Sequence, residues 1–164
     1  MLRMKTFETL LPWKRTIHFS IAIIVLLTFF NFYGLYTNSF PVLKPENFVF
    51  PLVSIIHFIF LYVLWFKIRE DETTDPQMRT IEYLLYGVIV LYVLYTVNTV
   101  VTLFSFTEFS NHVIPATFFP VGIFTLLLQL SLLLLSILAI NYRIKMVGNY
   151  NFEDLNEHID SWEQ

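Results

Sequence analysis

Charged residues divide this chain into long intervals that contain none. No Asp, Glu, Lys or Arg occurs between Arg15 and Lys44, between Glu46 and Lys67, between Glu82 and Glu108, or between Glu108 and Arg143. Each interval holds at least 20 residues, and a helix needs about 20 to cross the roughly 30 Å of hydrocarbon in a bilayer. The pattern predicts an all-α integral membrane protein with spans near residues 17–36, 48–67, 80–105 and 114–141. Buried helices of a soluble domain are the competing reading. They fail on composition: only 14% of the 164 residues are charged, against about 25% in soluble domains, which leaves too little polar surface to cover four such stretches.

The first interval resembles a secretory signal in its basic front. Its apolar run, from Ile17 to Tyr36, exceeds the usual h-region of about 7–15 residues, and no small-x-small cleavage site follows. It reads as a retained helix.

Basic residues orient the chain. Arg3, Lys5, Lys14 and Arg15 precede the first span, Lys67, Arg69 and Arg79 lie between the second and third, and Arg143 and Lys145 follow the fourth. Nine of the ten thus share one side and only Lys44 lies on the other, so the positive-inside rule predicts cytoplasmic N- and C-termini in a cell membrane. Trp13 and Trp65 fall at that same boundary, where indole rings favour the headgroup region.

Short connections predict neighbouring helices in an up-down-up-down bundle. The expected organisation is a basic cytoplasmic segment over residues 1–15, a four-helix transmembrane domain over residues 16–142, and a cytoplasmic tail over residues 143–164. Asp75-Pro76 reads as an N-cap followed by the first helical position of the third helix. Pro120 is placed to kink the fourth.

Polar side chains inside the spans must find partners and so report inward faces. Thr117, Thr125, Gln129 and Ser136 follow a helical stripe in the fourth span. The third carries Tyr92, Tyr95, Thr96, Thr99 and Thr102 on one broad face, with Asn98 on its flank. Thr28 and Asn31 in the first span, and Ser54 and His57 in the second, are each three apart. Thr28, His57, Tyr92, Tyr95 and Gln129 lie within roughly two turns, ~11 Å, of mid-span, and are expected to form one intramembrane polar layer. Its plainest role is interhelical glue, at about 0.6–2 kcal/mol per hydrogen bond. The sharper alternative is a path for a proton, ion or small polar molecule.

The tail carries a second pattern. Phe152, Leu155, Ile159 and Trp162 share one helical face, and Glu153, Asp154, Glu157, Asp160 and Glu163 occupy the rest. A short acidic amphipathic helix is repelled by anionic lipid and is expected to dock on protein.

The chain contains no cysteine, which excludes disulfides and thiol chemistry. It has no phosphate-binding glycine loop, H-E-x-x-H or G-x-S-x-G. Net charge is −3, without the basic excess of a nucleic-acid binder. No catalytic residue, cofactor or metal site is expected. The leading expectation is a non-enzymatic membrane bundle acting by association, as a subunit, a regulator or a self-assembling effector. Its partners would be the lipid bilayer and a second copy or another membrane subunit. The alternatives are a homo-oligomeric channel or transporter lined by the polar layer, and an intramembrane enzyme or haem protein using His57.

Overall fold

The computed structural model describes residues 11–106 and 114–150. The tail face of Phe152, Leu155, Ile159 and Trp162 lies outside the described residues. The described chain is all-helical, with four helices long and apolar enough to span a membrane. They are α1 (Trp13–Asn31), α2 (Val49–Arg69), α3 (Pro76–Phe104) and α4 (Phe118–Met146), with a 3-10 turn at Pro45–Phe48 leading into α2.

The helix boundaries differ from the charge-free intervals because local chemistry decides them. α1 stops at Asn31, five residues before the expected end at residue 36. There Asn31 donates from its amide to the Asn47 carbonyl, and Gly34 and Ser39 close a tight turn through Gly34 N–H to Ser39 O at 2.9 Å. Asn38 takes φ 48° inside that turn, a left-handed conformation that Asn tolerates better than most residues. α3 starts at the expected Asp75-Pro76, four residues before the span near residue 80: the Asp75 Oδ1 accepts the Met78 N–H at 2.6 Å, with Pro76 next at the first helical position. α4 runs unbroken as a helix through Pro120. That proline sits in the first turn, where its missing N–H has no intrahelical carbonyl to lose.

Each helix turns one narrow stripe inward. On α3 the buried residues are Met78, Glu82, Leu85, Val88, Tyr92, Thr96 and Thr99, at steps of three and four. On α2 they are Phe50, Ser54, His57, Phe60, Leu61, Leu64 and Lys67. These stripes meet Ile24 and Leu27 of α1 and Leu132 and Ala139 of α4 in one core. α1 packs on α2 and α4, and α3 packs on α2 and α4. Gly122 lets the last turns of α3 approach α4: a Cβ there would lie 2.6 Å from Leu103 Cδ2.

Only 22–33% of the most apolar stretch of each helix is buried. The remainder is also apolar, including Leu94, Val97 and Val101 on α3 and Leu127, Leu130, Leu134 and Ile137 on α4. Such a girdle far exceeds the few hundred Å² of contiguous apolar surface tolerated on soluble monomers. The architecture is compatible with a multi-pass helical membrane bundle.

Candidate functional site

Three groups of polar side chains stand out against this apolar background, two inside the bundle and one on its outer face.

The first lies midway along α2 and α3. His57 is fully buried, and its Nδ1 lies 3.4 Å from the Tyr92 hydroxyl. Ser54 Oγ sits 3.3 Å from the same hydroxyl and donates to the Phe50 carbonyl at 2.8 Å. Tyr92 therefore joins Ser54 and His57, which the α2 backbone holds one turn apart. This is not a nucleophile–base pair. The serine proton is engaged by a backbone carbonyl, and the imidazole addresses the phenol rather than the serine. Further along, Gln129 Nε2 of α4 donates to Thr99 Oγ1 of α3 at 3.0 Å, and Thr99 in turn donates to the Tyr95 carbonyl. Tyr92 and Thr99 are seven residues apart, ~10 Å along the helix axis. The residues expected in one layer thus occupy two levels. His57 and Tyr92 share one, Gln129 belongs to the other, and Tyr95 packs its ring edge-on against Phe50. Thr28 is half-buried on α1 and is bonded to none of them. Two buried atoms of this group, His57 Nε2 and Gln129 Oε1, have no partner among the described residues. Such orphans are uncommon, because an unmade buried hydrogen bond costs about 1–3 kcal/mol.

The second group was not anticipated from sequence. Glu82 of α3 and Arg143 of α4 form a buried ion pair, with side chains 2% and 6% exposed. Tyr86 donates to Glu82 Oε1 at 2.6 Å and Tyr150 to Oε2 at 2.7 Å. Gly148, at φ 102°, turns the chain back after α4. The Tyr150 ring then lies 4.5 Å from the Arg143 guanidinium, and Arg143 Nη1 reaches the Gly148 carbonyl at 3.3 Å. Burial, followed by the bond to Glu82 and its charge, pushes the Tyr150 phenol above its ordinary range, so it stays a neutral donor. The carboxylate thus accepts from three side chains, which fits a clamp rather than an acid–base catalyst. In the sequence Glu82 bounds a charge-free interval, and Arg143 bounds another and counts among the basic residues that orient the chain. The available signal was that Glu82 lies near the start of its helix and Arg143 near the end of the next, so antiparallel neighbours bring the opposite charges to one end of the bundle.

The same end carries further ties. Lys67 Nζ bridges Glu72 at 2.8 Å and Asp75 at 2.7 Å across the α2–α3 connection. Tyr142 donates to the Leu11 carbonyl at 2.5 Å, and Thr74 Oγ1 to the Asn149 carbonyl at 3.0 Å. At the opposite end the Tyr33 hydroxyl meets Thr117 Oγ1 at 2.9 Å, and Tyr36 donates to the Thr102 carbonyl at 3.1 Å.

The third group is one residue. Asn98 points outward from α3, among exposed Leu94, Val97 and Val101, and its amide has no partner among the described residues. It lies three residues from the centre of the uncharged stretch between Glu82 and Glu108. The chain matches no protein-family model, no curated protein and no solved structure.

Proposed function

We propose that this chain is a non-enzymatic multi-pass membrane protein that acts by association, through the outer face of α3 centred on Asn98. In this reading the helices cross the bilayer up-down-up-down with both termini cytoplasmic. The charge asymmetry supports the orientation, and the ties gathered at each end of the bundle support the alternation. The apolar girdle supports insertion.

The observation that carries the reading is Asn98. A primary amide facing hydrocarbon alone would leave its donors and acceptor unmet, so in lipid it favours a second helix that meets them. The polar groups of the interior are largely used within the chain: Gln129 on Thr99, His57 on Tyr92, Arg143 on Glu82. Asn98 is left on a smooth face of Leu94, Val97 and Val101, the i, i+3 and i+4 geometry by which one helix packs on another. The partner is a second copy of this chain or another membrane subunit.

Absence of native cysteine makes the test clean. Single-cysteine variants Leu94→Cys, Asn98→Cys and Val101→Cys are expected to form disulfide-linked dimers under mild oxidation in membranes, whereas Leu127→Cys on α4 should not. Asn98→Leu should weaken self-association about 3- to 15-fold, the value of one intramembrane hydrogen bond of about 0.6–1.7 kcal/mol. Equal crosslinking from α3 and α4 positions, or none together with no co-purifying membrane subunit, would overturn association through this face.

A further inference from the structure

Two adjoining hollows lie between α1 and α2. The upper one, about 450 Å³, is lined by Trp13, Lys14, Trp65, Ile68 and Arg69. The lower, about 380 Å³, continues along the seam between Ile17 and Ile21 of α1 and Phe58 and Leu61 of α2. Trp65 lines both and joins them into one groove. Its mouth is basic and aromatic, and its floor is apolar.

The mouth is built for a negative charge. Lys14 Nζ stands 5.4 Å from the Trp13 ring centroid, and the Arg69 guanidinium 5.0 Å from that of Trp65. Each cation is steered over an indole at the entrance. Arg69 also has Glu70 Oε1 at 3.5 Å, a long contact between exposed groups that leaves most of the guanidinium available. α1 begins here, at Trp13, after Pro12, with no side chain capping its first turn among the described residues. Its leading N–H groups and the positive end of its dipole therefore add to the field of Lys14 and Arg69. Below the mouth no Asp, Glu, Lys or Arg among the described residues lines the groove; His18, Tyr62 and the apolar residues complete it.

We propose that this groove binds one phospholipid with an anionic headgroup, its phosphate at Lys14 and Arg69 and an acyl chain along Ile21 and Phe58. The proposal rests on the membrane reading above, with this end of the bundle at the cytoplasmic interface, and not on the association of α3. Charge complementarity selects the headgroup. The apolar continuation of the groove selects a lipid over a free phosphate.

The test uses the full-length Trp162→Phe chain in phosphatidylcholine vesicles, so that Trp13 and Trp65 alone report. A low mole fraction of acyl-brominated phosphatidylglycerol or phosphatidylcholine is added as quencher. The phosphatidylglycerol quencher is expected to be favoured about fivefold or more, the influence of a single basic residue near an anionic lipid surface. Lys14→Ala with Arg69→Ala should bring the two quenchers to parity while far-UV circular dichroism is unchanged. Arg15→Ala, the loss of one charge one residue outside the groove, should keep most of the preference, whereas Lys14→Ala alone, an equal loss of charge inside it, should lose a large part. Parity in the wild-type background, or an equal loss in Arg15→Ala, would overturn a defined site in favour of diffuse surface charge. A preference that appears only after removal of residues 151–164 would make the acidic tail the occupant and also overturn it. No quenching by either lipid would overturn insertion itself, and so is distinguishable from failure of the site alone.

Discussion

Single residues decide most of what is specific about this bundle, and Arg143 is the clearest case. Its guanidinium is buried against Glu82, and its Nε has no partner among the described residues, so the pair is held by geometry at a desolvation cost. Removing one partner is worse than removing both. Arg143→Ala should lower unfolding stability in detergent by about 3–5 kcal/mol, because Glu82 is left charged and buried with only the Tyr86 and Tyr150 hydroxyls. Glu82→Met with Arg143→Met should recover most of that loss, since a well-packed apolar pair avoids the desolvation penalty. A double variant as unstable as Arg143→Ala would show that the ion pair contributes more than mutual neutralisation. Asn98 is the converse, an exposed polar group with no partner among the described residues.

At the scale of elements, the junction of α2 and α3 depends on Asp75. Burial raises its carboxyl, but the bond from Lys67, the Met78 N–H and the lysine's charge outweigh that and hold it below the usual carboxylate range. A depressed folded-state pKa stabilises the fold at pH values above the unfolded value, about 3.9, and that contribution fades as pH falls through the folded value. Wild type and Asp75→Asn should therefore differ by a constant margin in unfolding midpoint at pH 5–8 and converge below about pH 4. Asp75 is more than a third exposed, so the margin is small. A gap that widens on acidification would contradict the assignment. The two helical glycines behave differently for steric reasons. Gly122 faces Leu103 where α4 approaches the end of α3, while a Cβ on Gly87 would meet nothing.

For the whole molecule, the distribution of charge and the packing order bear on the same question. Lys67, Glu72, Asp75, Glu82, Arg143 and Tyr150 gather at one end, and the loop carrying Lys44 joins α1 to α2. With that charged end cytoplasmic, reporters inserted within residues 70–75 or fused after residue 164 should read cytoplasmic, and those within residues 40–46 external. An external C-terminus would overturn the orientation. It would also move the basic groove of Trp13, Lys14 and Arg69 to the opposite leaflet.

Sequence alone determined the class and number of the long elements. A bilayer demands about 20 uncharged residues per crossing, and the only intervals of that kind are the four that became helices. It also determined the Asp75-Pro76 start of α3, because capping is a local interaction within one turn. It marked the inward stripes of α2 and α3, because helical periodicity places residues three and four apart on one face. Tertiary structure alone decided which polar residues meet. Glu82 and Arg143 are 61 residues apart in the chain, and no local pattern joins them. Whether Gln129 reaches Thr99 rather than His57 depends on the relative shift of two helices along their axes, which periodicity leaves free. The outward turn of Asn98 rests on the same cause. A flank position on one helix becomes interior or surface only once its neighbours have chosen their angle of approach.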